Sequence, residues 1–91
     1  MPVVLIVDDD ERNRKLARDV LRNAGFETLD APTGAKAITL ASDHVPDVIL
    51  MDLRLPDMGG VEAARTLRDD ERTSRIPIVA TSASSLQGSD N

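Results

Sequence analysis

Ninety-one residues, 41% hydrophobic and 30% charged, make one small globular domain, leave no room for a second and argue against disorder. Eleven Lys and Arg against sixteen Asp and Glu give a net charge of −5, and Phe26 is the only aromatic residue, so a nucleic-acid or anionic-membrane surface is disfavoured as the main partner. The lack of cysteine removes disulfides, thiolate nucleophiles and Cys-ligated zinc, while no segment reaches the roughly 20 apolar residues of a membrane span and Met1-Pro2 leads into a strand rather than a signal peptide, so a cytoplasmic location is expected.

Val3–Val7 is a continuous apolar run rich in β-branched residues and reads as a buried strand. Over residues 11–24 the period becomes helical: Leu16, Ala17, Val20, Leu21 and Ala24 form the apolar stripe, Asp10 is placed to cap the start and Gly25 to stop the end. Residues 26–29 read as a second, shorter strand. Pro32-Thr33-Gly34 then breaks the chain, and Ala35, Ala37, Ile38, Ala41 and Ser42 indicate a small-residue helix ended by Val45-Pro46. Residues 47–52 make the third strand. A loop over residues 53–60, holding Pro56, Gly59 and Gly60, leads to a helical stripe of Val61, Ala64 and Leu67, and after a charged turn residues 76–81 form the fourth strand. The order β-α-β-α-β-α-β predicts a parallel α/β sheet with right-handed crossovers over residues 1–83, followed by a polar tail over 84–91.

In such a sheet the first and third strands end at the same edge, where loops build ligand sites, and this chain places Asp8-Asp9-Asp10 after one and Asp52 at the end of the other. Crowded carboxylates repel and raise one another's pKa, so a positive group belongs among them, and a hard divalent cation such as Mg²⁺ suits a cage made only of oxygen. An acidic strand end is common on its own; the pairing of two makes the site. The other conspicuous residues have plainer roles: Asp10 a helix cap, Asp57 a turn or solvent-facing acid, His44 a surface residue near a helix C-terminus, Met51 and Met58 packing residues.

At Val4-Leu5-Ile6-Val7-Asp8-Asp9-Asp10, the strand ending Leu50-Met51-Asp52, the loop Leu55-Pro56-Asp57-Met58-Gly59-Gly60 and Ile76-Pro77-Ile78-Val79-Ala80-Thr81-Ser82-Ala83, the chain resembles the receiver domain of bacterial two-component response regulators, single-domain receivers above all. The resemblance spans essentially the whole chain and implies a doubly wound, flavodoxin-like fold. It implies a phosphoacceptor, Asp52, that takes its phosphoryl group from a histidine kinase or phosphotransfer protein. Asp8 and Asp9 would hold Mg²⁺ together with Asp52 and the backbone carbonyl of Arg54. Ser82 would be the hydroxyl that senses the phosphoryl group and drives a conformational switch, while Thr81 points the other way by strand alternation. The domain would signal rather than act as an enzyme on an outside substrate.

The chain departs from this pattern at Gly59, where many receivers have a polar turn residue, and more deeply at its end. No lysine follows Lys36, and the last α-β-α part of a receiver, about 30 residues by the usual size of such units, is not present. A truncated receiver is therefore expected, with charge compensation at Asp52 resting on Mg²⁺ and the fourth strand left as an edge that invites self-association. Two other readings compete: a self-associating fragment that no longer signals, and a small Mg²⁺-dependent phosphohydrolase. Against the latter stands Arg54, at the position where such enzymes commonly carry a second Asp.

Overall fold

The computed structural model describes residues 1–81, and each predicted element is present among them: β1 (Val3–Val7), α1 (Glu11–Asn23), β2 (Glu27–Ala31), α2 (Gly34–His44), β3 (Val48–Asp52), α3 (Gly60–Asp69) and β4 (Ile78–Thr81). The strands form one parallel sheet in the order β2-β1-β3-β4. Alternation then sorts their side chains between two faces. Leu5, Val7, Ile49 and Met51 point to one face and form the main core with Ala37 and Ala41 of α2 and Ala63 and Leu67 of α3. Ile6 and Leu50 point to the other, towards α1.

Local chemistry sets the boundaries. The Asp10 carboxylate caps α1 by accepting from Arg12 N at 2.9 Å, and Gly25, at φ +97°, supplies the left-handed turn that ends it. The second strand is displaced from its expected span, because Phe26 N bonds back to Leu21 O and the first amide to reach β1 is that of Glu27, on Pro2 O at 2.9 Å. The fourth begins later than expected for a similar reason: Ile76 N closes a turn onto Thr73 O, and Pro77 has no amide hydrogen. Buried Thr73 anchors that turn by donating to Leu67 O at 2.6 Å.

The α1 stripe is only partly covered. Leu16 and Val20 are 56% and 60% exposed, and Val79, level with Leu50 in the sheet, is 48% exposed. Leu16, Val20 and Leu21 border an open apolar groove floored by Leu50. Ser82 and the tail over residues 84–91 lie outside the described residues.

Asp57 does more than the turn or solvent-facing role expected of it. Its two carboxylate oxygens accept from Gly34 N at 2.8 Å and Ala35 N at 2.9 Å, so it satisfies two otherwise unpaired amides at the start of α2, beside the Thr33 cap. Those amides hold its pKa below the ordinary aspartate value of 3.8. A depressed carboxylate stabilises the fold fully above its unfolded pKa and loses that contribution as the pH falls through its folded pKa. Asp57→Ala is expected to lower the melting temperature by a few degrees at neutral pH. The difference from the parent should shrink in acid melts, and a gap independent of pH would refute the charge-based account.

Candidate functional site

Two strand ends meet at the C-terminal edge of the sheet. Val7 pairs with Met51, so the next residues, Asp8 and Asp52, stand level with each other. One carboxylate oxygen from each of Asp8, Asp9 and Asp52 lies within 4.8 Å of the other two. Asp8 and Asp52 are only 4% and 3% exposed, whereas Asp9 is open to solvent. A single cavity is lined by these three residues with Asp10, Asn13 and Arg54.

The surrounding backbone fixes these acids. Asp8 Oδ1 accepts from Asp10 N at 2.9 Å, closing the turn that leads into α1. From α1, Arg14 Nη1 reaches back to Asp8 O at 2.7 Å while its Nε lies 3.5 Å from Asp30, which also pairs with Arg18. Asp8 is thereby strapped to both α1 and β2. Asp52 Oδ1 accepts from Arg54 N at 2.9 Å, so the first loop residues orient the carboxylate. Gly60 lets α3 start close against that loop: a Cβ there would lie 2.8 Å from Asp52 O and 2.7 Å from Leu53 Cα.

Burial raises the Asp8 pKa above its ordinary value, and the charges of Asp52 and Asp9 add to the rise, while the Asp10 amide and Asn13 oppose it. Ionising Asp8 therefore works against both burial and the charges beside it. A divalent cation relieves both, and a donor set of carboxylate oxygens suits a hard ion that keeps several waters. These residues fit Mg²⁺.

The structure thus brings together Asp8, Asp9 and Asp52 as expected and sets Arg54 beside them, while Ser82 is outside the described residues. Asp10 caps its helix, His44 is exposed in the last turn of α2, and Met51 and Met58 pack in or against the core. The sequence reading passed over Asn13, a buried amide at the cavity wall. Its signal was available: residue 13 lies one helical turn before Ala17, on the apolar stripe of α1, where a polar side chain needs a reason.

A parallel α/β sheet with an acidic pocket at this edge defines a doubly wound domain that carries its site on the strand ends, and the chain belongs to the response regulator receiver domain family, whose model matches residues 4–88. Among its relatives, the polar-differentiation response regulator DivK of Brucella ovis is 44% identical over 85 residues, covering 93% of this chain and 69% of that protein. Among solved structures, the receiver domain of a sensor histidine kinase from Pseudomonas aeruginosa superposes with a TM-score of 0.86 at 36% identity, over 96% of this chain and 71% of that one; a magnesium ion is coordinated in its active-site cleft. The chemotaxis protein CheY4 of Vibrio cholerae gives 0.84 at 32% identity, over 96% and 76%. Among the described residues no helix is long and apolar enough to cross a membrane.

Proposed function

We propose that this receiver accepts a phosphoryl group on Asp52 from a histidine kinase or phosphotransfer protein and changes conformation in response. One observation carries the reading: the convergence of the Asp8, Asp9 and Asp52 carboxylates within 4.8 Å at the strand ends. In the transfer an Asp52 oxygen bonds to phosphorus as the phosphorus–nitrogen bond of the donor breaks, leaving an imidazole that takes up a proton and an acyl phosphate on Asp52. Arg54 N, by holding Asp52 Oδ1, keeps the carboxylate from rotating away from the incoming group. Mg²⁺, held by Asp8, Asp9, Asp52 and the Arg54 carbonyl, would supply the positive charge that offsets repulsion between the acids and the phosphoryl oxygens. Ser82 is proposed as the sensing hydroxyl from its place directly after β4.

The domain on this reading spans residues 1–83, with a polar tail over 84–91, and works in the cytoplasm. A second copy of the chain is a further proposed partner, because among the described residues nothing pairs with the outer edge of β4.

Acetyl phosphate with Mg²⁺ tests the reading directly. The expected product carries one phosphoryl group, lost on chelation of the metal beforehand and mapped by fragmentation to Asp52. Modification of a serine or of His44 instead would overturn the assignment. Asp9→Ala should remove Mg²⁺ binding, because a site with so few protein ligands cannot lose one and keep its affinity. With no Trp or Tyr in the chain, calorimetry or amide chemical shifts are the readout, and an unchanged titration would remove the metal site.

A further inference from the structure

Asn13 is 9% exposed, and its Nδ2 is a buried side-chain donor with no hydrogen-bond partner among the described residues. Burying an amide without a partner costs free energy, and a helix facing an apolar sheet could hold a leucine of similar size in its place. Position explains the choice of residue. Asn13 lines the acidic cavity with Asp8, Asp9 and Asp52, and it also borders the apolar groove between α1 and β3. Its amide approaches Asp8 closely enough to favour the ionised carboxylate without closing a hydrogen bond. Asp8 is thus the acid that its amide approaches, and Asp8 Oδ1 already accepts from Asp10 N.

We propose that Asn13 is a positioning residue of the cation site: its Nδ2 donates to the oxygen shell that forms on the Asp8 side when Asp8, Asp9 and Asp52 bind a divalent cation. Outer partners of this kind orient ligands and set metal affinity although they never touch the ion. The inference rests on the reading of the three aspartates as a cation site. It goes further in assigning part of the affinity to a helix residue outside the acidic motif.

The test is calorimetric titration of Mg²⁺ into the unphosphorylated 91-residue chain and its Asn13→Leu and Asn13→Gln variants, with thermal melts of each in the absence of metal. Asn13→Leu should weaken binding by about tenfold. Its metal-free melting temperature should equal or exceed that of the parent, since a buried unpaired amide has been replaced by an apolar group of the same branched shape, with the open groove beside it to take the added bulk. Asn13→Gln keeps the donor and should retain most of the affinity. Should Asn13→Leu fold poorly, Asn13→Ala takes its place with the same expected loss. A parent that binds Mg²⁺ while the apolar variants bind it equally well overturns the role of Asn13 alone. A parent that binds no Mg²⁺ overturns the cation site and this inference with it. Lower metal-free stability with unchanged affinity would make Asn13 a structural residue and also defeat the proposal.

Discussion

Asp52→Asn is expected to abolish phosphorylation by acetyl phosphate and, without metal, to raise the melting temperature of the chain. The first effect follows from chemistry: a neutral carboxamide is not a competent nucleophile towards phosphorus, and no other acid of the cluster is placed at the end of β3. The second follows from electrostatics. Two like charges about 4 Å apart repel by about 1 kcal/mol in water and about 4 kcal/mol at an effective dielectric of about 20. Asp8 and Asp52 are buried on their protein side but open onto a shared cavity, which places them between those limits.

Removing the Asp52 charge should also lower the Asp8 pKa, because that charge is one of the causes of its elevation. The sign of the pH dependence follows. A raised carboxylate contributes stability that is fully present below the unfolded pKa and is lost as the pH rises through the folded pKa. Without Mg²⁺, the contribution of Asp8 should therefore favour mildly acidic over neutral conditions, and less so in Asp52→Asn. Melts from acidic to neutral pH, together with intact-mass measurement of the phosphorylated product, check both halves. Continued phosphoryl uptake by Asp52→Asn would exclude Asp52 as the acceptor, and a lower metal-free melting temperature would show that the residue stabilises rather than strains the strand ends.

How far this site could be read in advance depended on whether a residue's role was local or long-range. The strands announced themselves because β1 and β3 lie between helices and must be apolar on both faces, giving unbroken runs such as Val3–Val7 that no amphipathic surface strand would show. The acids at their ends were legible for the same reason, since a charge directly after a buried run has only the sheet edge to occupy. Asp57 was read as a turn or solvent-facing acid because its partners, Gly34 N and Ala35 N, are 23 and 22 residues away in sequence, and no local pattern announces a cap supplied by another loop. The span of β2 was misplaced because Phe26, apolar and β-prone, is drawn into the end of α1 by its bond to Leu21 O. Tertiary hydrogen bonding overrode propensity there.

The 91-residue chain is expected to self-associate, with a melting temperature that rises with protein concentration. Among the described residues β4 has β3 on one side and no strand on the other, so its outer amides and carbonyls can pair with a second chain. The apolar groove of Leu16, Val20 and Leu50 lies on the face that Val79 shares. Covering a few hundred Å² of apolar surface at about 25 cal/mol per Å² contributes on the order of 5–10 kcal/mol. The loss of translational and rotational freedom on association opposes this by roughly 4–15 kcal/mol, so the expected dimer is weak rather than permanent. Mass action then ties stability to concentration, because the dimer forms from folded chains only. Sedimentation over a wide concentration range, with melts at the same concentrations, measures both consequences. Val79→Lys, which puts a charge on the shared face beside the edge, should shift the equilibrium to monomer. A folded monomer at every concentration, with a constant melting temperature, would show that the edge and groove are covered within one chain.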